Sequence, residues 1–352
     1  MNQVQLHTDA FGLFVIIGLV SALCTWGVVN NAGRFGLLDV PNERSSHAFT
    51  TPRGGGLSIV LATFLGLFLF YSFKNPTPNQ IAPVMLSGAI VALIGLFDDL
   101  GKFRSISIRL GTHVVGAGIG LWIIGGVPQI SVLSYEIEPS IIGNVFAILY
   151  VVWLINLYNF MDGINGLAGV EAISVCVLVS VLSARNGLTP TTIISLLILA
   201  SAVAGFLVFN FPFARVFMGD VGSGFLGLTF AMLSLISANE KENMFWVWMI
   251  MLGVFIVDAS YTLFYRLLKG ENIKVAHRDH AYQVLARRLN SHRSVTIGVL
   301  IINVFWLFPI AFLVVENRFA GAAAVVTAYC PIVVAVYYFS KGKGSLARSS
   351  EV

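Results

Sequence analysis

Four aspartates in three separate short stretches carry the densest chemistry in this chain. Asp98 and Asp99 close the run Gly95-Leu96-Phe97-Asp98-Asp99. Asp162 lies in Asn156-Leu157-Tyr158-Asn159-Phe160-Met161-Asp162-Gly163-Ile164-Asn165-Gly166, and Asp220 in Phe217-Met218-Gly219-Asp220-Val221-Gly222-Ser223-Gly224. Each stretch borders a long apolar run, where an acid is costly and usually functional or paired. A helix cap or an interfacial ion pair is the plainer reading of any one of them. Four at three boundaries argue for a site. Adjacent residues of a helix cannot point the same way, so Asp98 and Asp99 can take different roles. Asp162 and Asp220 adjoin glycines, which let a ligand approach the backbone closely. Carboxylates without soft competitors suit a hard cation such as Mg2+, which keeps several waters and bridges to phosphate. The chain has no HExxH and no Cys/His set for zinc. Cys24, Cys176 and Cys330 stand alone in apolar segments and read as small core residues.

Basic and polar groups accompany the acids. Arg53 precedes Gly54-Gly55-Gly56, and Arg44 and His47 lie just upstream. The glycines do not form a Walker A loop, and alone they make a flexible entry to the next apolar run. Beside Arg53 they are able to cradle a phosphate. Arg278, Arg287 and Arg288 are a second set that can hold a diphosphate, although loop arginines are expected in any membrane protein. His280 follows Arg278 and Asp279 within two residues and is the histidine with the best claim to a site role, ahead of His47 and His277. Asn210 opens the stretch that leads to Phe217 and Asp220, and it joins the candidate substrate-binding residues.

The elements that position these residues are apolar helices. Apolar residues make up 57% of the 352 and charged residues 11%, against about 45–50% and about 25% in soluble domains. Eleven apolar segments are long enough to cross a bilayer, near 11–30, 55–73, 81–97, 110–126, 141–157, 167–184, 190–209, 221–238, 243–264, 295–315 and 319–340. The first has no Lys or Arg before it and exceeds a signal core, so it reads as a retained span. Alternating the loops leaves only Lys74, Arg185, Lys241 and Arg318 of the 21 Lys and Arg on one side. The positive-inside rule puts the other side in the cytoplasm, with the N-terminus outside and the C-terminus inside. The net charge of +4 then records orientation and gives no sign of nucleic-acid binding. All the candidate site residues fall on the cytoplasmic side. The expectation is an all-α polytopic membrane protein, one domain over 1–352, with its site on loops 31–54, 98–109, 158–166, 210–220 and 265–294. Gly116 and Gly120, at GxxxG spacing, read as helix-packing positions.

Taken together, the motifs resemble the polyprenyl-phosphate N-acetylhexosamine-1-phosphate transferases, over roughly residues 30–290. Phe217-Met218-Gly219-Asp220-x-Gly222-Ser223 is the most specific match, followed by Asn156-x-x-Asn159-x-x-Asp162-Gly163. The resemblance implies transfer of a sugar-1-phosphate from a UDP-N-acetylhexosamine to undecaprenyl phosphate, with release of UMP. It implies dependence on Mg2+, with Mn2+ as a substitute, and a place in the bacterial inner membrane. Members similar to this one initiate O-antigen or related lipopolysaccharide synthesis more often than peptidoglycan. Asp220 then looks like the metal ligand and Phe217 like the ring on which uracil stacks. Asn159, Asp162 and Asn165 look like nucleotide-sugar contacts, and Asp98 and Asp99 match the catalytic pair. His280 matches the first histidine of HxHH. The sequence departs from the family pattern at Lys102, where DDxxD has an acid, at Asn165, where DGxDG has one, and at Tyr282 and Gln283, where histidines are usual. The sugar is left open among GlcNAc, GalNAc and 6-deoxy amino sugars. Relatives suggest a homodimer, which the residues themselves do not show.

Phosphoryl transfer between two anions needs charge neutralised and oxygens aligned. A direct displacement by the lipid phosphate, with Asp98 as base or positioner, and an aspartyl-phosphate route through Asp98 or Asp99 both fit the residues. A phosphate monoester with a second pKa of about 6 is mostly ionised at neutral pH and needs little base help. A transporter or flippase of lipid-linked sugars is the rival from another class. Such proteins usually place charges near the bilayer midplane on broken helices, whereas these acids sit at predicted helix ends.

Overall fold

Inside a bilayer no water satisfies backbone groups, so each apolar run folds on its own hydrogen bonds as a helix. The computed structural model describes residues 3–41, 50–74, 81–102, 105–132, 135–137, 139–272 and 278–341, and His47 and His277 lie outside them. The chain opens with α1 (Gln3–Phe35) and a two-stranded hairpin, β1 (Leu38–Asp39) with β2 (Thr51–Pro52), followed by α2 (Gly56–Lys74). Next come α3 (Gly88–Asp99), α4 (Ile106–Ile124), the antiparallel pair β3 (Ile130–Val132) and β4 (Tyr135–Ile137), and α5 (Ile141–Met161). The second half holds α6 (Leu167–Asn186), α7 (Pro190–Asn210), α8 (Gly219–Glu240), α9 (Asn243–Met251) and α10 (Gly253–Leu268). It closes with α11 (Ala281–Leu289), α12 (His292–Ile302), α13 (Phe308–Val315) and α14 (Gly321–Lys341).

All eleven apolar segments fall on helical structure. Among the described residues, eight helices are long and apolar enough to cross a bilayer, or nine if the bent pair α9–α10 is one span. The remaining two segments are less regular. The apolar part of α2, Gly56–Ser72, is shorter, and the 81–97 segment enters α3 through a π-helical turn, Pro83–Ser87. Pro83 stands at the start of this turn, where a missing N–H is tolerated. The segment 243–264, expected as one span, is two helices bent by 69° at Leu252. There Gly253 lies against the Tyr329 ring, where an added Cβ would come within 3.0 Å of Cε1. That tertiary contact is invisible in hydropathy.

The centre of the bundle is α8, whose apolar stretch is buried along its whole length. It packs against α2, α3, α5 and α9. A helix that is apolar or small on every face belongs in such a position. Its closest neighbour is the start of α2, where an added Cβ on Gly56 would fall 2.2 Å from the Cα of Gly222. The two backbones therefore touch. Gly120 serves the same end on α4, its face pressed against Met232 and Ser87.

This packing yields a direct test. Gly56→Ala should destabilise the fold by about 2–3 kcal/mol, because backbone cannot yield to a methyl group. Gly118→Ala, on an open face of α4 with nothing within 4 Å, should leave thermal stability in detergent unchanged or slightly raised.

Candidate functional site

The first N–H groups of any helix lack partners within it. At the start of α8, Asp220 N and Val221 N donate to the two carboxylate oxygens of Asp99, each at 3.1 Å. The Asp99 carboxylate is 4% exposed and lies where the positive end of the α8 dipole favours it. Gly219 makes this possible. Its φ of +75° turns the chain into the helix, and a Cβ there would lie 2.5 Å from Asp99 Oδ2. Arg53 secures the other side. Its Nε and Nη2 donate to the carbonyls of Asp99 and Asp98, both at 2.8 Å, and so cap the end of α3. The Arg53–Gly56 segment is strapped to the Phe217–Gly219 segment by Phe217 N to Pro52 O (2.8 Å), Gly55 N to Phe217 O (2.9 Å) and Gly56 N to Met218 O (2.8 Å). Two motifs far apart in the chain thus form one wall.

Asp98 points elsewhere, as neighbours on a helix must. Its Oδ2 and the Oδ2 of Asp220 both accept from Nη1 of Arg109, at 3.1 and 2.9 Å. Asn159 Nδ2 donates to the other Asp220 oxygen at 2.8 Å and to Ser223 Oγ at 3.0 Å. A narrow cavity beside Asp220 is lined further by Asn156 and His113. Burial, then the adjoining Asp220 carboxyl, raises Asp98 to about 6. The same two causes hold Asp99 above the usual carboxylate range, against the pull of Arg53 and the α8 amides. Both residues lie past the end of the 81–97 segment. Among the described residues no three His, Cys, Asp or Glu form a metal cluster. Asp98 and Asp220 nevertheless turn one oxygen each toward a single cationic point. That donor set fits a hard cation which takes one or two carboxylates and completes its shell with water and phosphate.

The remaining candidates surround this centre. Asn210 joins two loops: its Oδ1 accepts from Gly166 N and its Nδ2 donates to Val216 O, both at 2.8 Å. With the amide so used and buried, Asn210 positions the walls. Asn165 is held by its backbone, since Thr296 Oγ1 donates to its carbonyl at 3.0 Å, while its own Nδ2 reaches Pro212 O at 3.3 Å. Asp162 ends α5 half-buried, and burial, then the charges of Asp220 and Asp99, push it well above the ordinary range. Phe217 is half-buried on the strapped wall. His280 is 3% exposed, pairs with Asp258 Oδ1 at 3.3 Å and lies stacked near Phe160 and Tyr282. Asp258 also takes the N–H groups of Ala281 and Tyr282, each at 2.9 Å, so it caps α11 from α10. Arg278 lies half-buried beside Asp279, which pairs with Arg266. No hydrogen bond or ion pair described above ties His280 or Arg278 to the Asp98–Asp220 centre.

Sequence reasoning passed over Arg109, Asp258 and His113. The signal for Arg109 was its place at the opening of the apolar segment that follows Asp98–Asp99. Tyr282, which stands where the family pattern has a histidine, braces a loop. Its Oη donates to Phe160 O at 2.8 Å, against the turn at Gly163.

Comparison with known proteins adds family evidence. The model of glycosyl transferase family 4 matches residues 81–238, which hold the three acidic motifs. A probable undecaprenyl-phosphate N-acetylglucosaminyl 1-phosphate transferase of Bacillus subtilis is 27% identical over 308 residues, covering 86% of this chain and 84% of its own. A decaprenyl-phosphate N-acetylglucosaminephosphotransferase of Mycobacterium tuberculosis is 29% identical, over 84% of this chain and 80% of its own. A phospho-N-acetylmuramoyl-pentapeptide-transferase of Streptococcus pneumoniae is 28% identical, over 63% and 70%.

The two adjacent acids should separate in stability measurements. Asp99→Ala leaves two buried N–H groups unpaired and should cost about 2–4 kcal/mol. Asp98 should behave oppositely. Its folded-state pKa of about 6 lies above the ordinary 3.8, so its ionised form weighs against the fold at high pH. Asp98→Asn should therefore raise the melting temperature at pH 8, and the gain should shrink as pH falls through about 6 toward 4.

Proposed function

We propose that this chain, whose residues 81–238 match the model of glycosyl transferase family 4, moves an N-acetylhexosamine-1-phosphate from a UDP-sugar to undecaprenyl phosphate, releasing UMP. The observation that carries this reading is the convergence of Asp98, Asp220, Asn159 and Arg109 at one end of the bundle. Such a centre can receive a water-soluble diphosphate from one side and a lipid phosphate from the bilayer. The distribution of Lys and Arg supports a cytoplasmic placement in the bacterial inner membrane. The product would begin a cell-surface polysaccharide, with O-antigen as one such polymer. GlcNAc is the first sugar to test, because the Bacillus and Mycobacterium relatives are named for it.

The reaction is a direct displacement. An oxygen of undecaprenyl phosphate bonds to the sugar-bearing phosphorus, the bond from that phosphorus to the bridging oxygen breaks, and UMP leaves with that oxygen. When bound, Mg2+ would neutralise charge on the diphosphate and polarise the breaking bond. Asp220 and Asp98 are the residues to hold it, and Asn159 fixes the rotation of Asp220. Arg109 supplies positive charge where three anions meet. Asp98, the more exposed member of its pair, positions the acceptor and takes any residual proton. The buried capping role of Asp99 weighs against it as a nucleophile. Phe217 offers a half-buried ring for the uracil, with Asp162 and Asn165 for the rest of the nucleotide sugar.

Purified protein given undecaprenyl phosphate, Mg2+ and a panel of UDP-N-acetyl sugars should release UMP. Release should require the lipid and the metal and should fall by at least about 100-fold in Asp220→Ala. A folded protein that binds the lipid yet releases no UMP from any sugar would favour a lipid-sugar transporter instead.

A further inference from the structure

Arg109 occupies the one point at which the two reactive carboxylates converge. A single nitrogen, Nη1, is shared between Asp98 Oδ2 and Asp220 Oδ2. These are the two oxygens turned inward, the ones through which a divalent cation would be held. The narrow cavity on the Asp220 side of this contact has a volume of about 10 Å3, room for about one water. Two cations cannot share this position, so a divalent cation held by both oxygens must displace the guanidinium.

The attachment of Arg109 lets it leave without dismantling the site. It projects from the first turn of α4 and its side chain is 31% exposed. Its two carboxylates are the only hydrogen-bond partners described for that guanidinium. Asp220 would not collapse when released, because Asn159 grips its other oxygen and its N–H is held by Asp99. Asp98 is likewise anchored through its carbonyl by Arg53.

We propose that Arg109 is a positioning residue which serves as an internal counter-ion. It keeps Asp98 and Asp220 aimed at one point until a divalent cation displaces it, and its freed guanidinium then turns to the substrate diphosphate. This rests on the metal-dependent reading given above and adds a consequence to it. Cation and nucleotide bind cooperatively, because the nucleotide supplies the new partner that the displaced arginine needs.

The test is Mn2+ binding to the full-length protein in detergent, read by electron paramagnetic resonance of free Mn2+, with UMP as the nucleotide probe. Without nucleotide, Arg109→Met should bind Mn2+ about tenfold more tightly than the native protein, and UMP should tighten its Mn2+ binding less. Arg109→Lys, which keeps a cation, should stay near the native affinity, and Arg109→Gln repeats the test should the Met variant fail to elute as a monodisperse protein. Mn2+ affinity unchanged or weaker in Arg109→Met, with binding still lost in Asp220→Ala, would overturn the counter-ion role and leave the metal site standing. Absence of any Asp220-dependent Mn2+ binding, in native and variant chains alike, would overturn both.

Discussion

Two backbone N–H groups at the head of a fully enclosed helix need an acceptor, and Asp99 provides it. Water cannot reach the start of α8 freely, so leaving Asp220 N and Val221 N unpaired would cost on the order of 1–3 kcal/mol each. Asp99 meets both, and in doing so locks the end of α3 to the start of α8. Most of the site's geometry depends on that junction. Asp98 is turned toward Arg109 because its neighbour is turned toward the helix. Asp220 stands in the first turn of α8 because Gly219 allows the chain to bend around the Asp99 carboxylate. Arg53 then closes the junction from outside, and the strap between Pro52–Gly56 and Phe217–Met218 holds it in place.

Around this core the polar residues divide into those that face the cavity and those that hold its walls. Asp98, Asp220, Asn159 and Arg109 form the inward group. Asn210, Arg53, Asp258 and Tyr282 are outward-acting: each uses its polar atoms on backbone groups of loops and helix ends. A membrane protein has reason to build its site this way. Irregular backbone near the bilayer must be satisfied by side chains where water is scarce, so residues that resemble substrate contacts by type can instead be structural partners of a loop.

That division explains what could be read from the chain alone. The helices were legible because apolar runs of the right length have few alternatives, and the acids were legible because each is costly at a membrane boundary. The separate roles of Asp98 and Asp99 were only half legible. Their adjacency required different directions, but which one would be buried depended on the far-off start of α8. Arg109 was hidden by the expected topology, since the positive-inside rule already accounts for an arginine at a helix end on the basic side whatever it does. Asn210 and Arg53 were grouped with substrate-binding residues because an amide or guanidinium next to a motif gives no sign of being used on backbone. The bend at Leu252 was not legible at all, because hydropathy registers only that the segment is apolar and not how Gly253 packs against Tyr329 of another helix.

The most direct test of the central claim is a structure of the protein with Mn2+ and UMP, with diffraction recorded at the manganese absorption edge. An anomalous peak within coordination distance of Asp220 and of the UMP phosphate, with the uracil against Phe217, is the predicted result. UMP bound elsewhere, or manganese far from Asp220 with Arg109 still bridging the two aspartates, would contradict a phosphoryl-transfer centre at the head of α8.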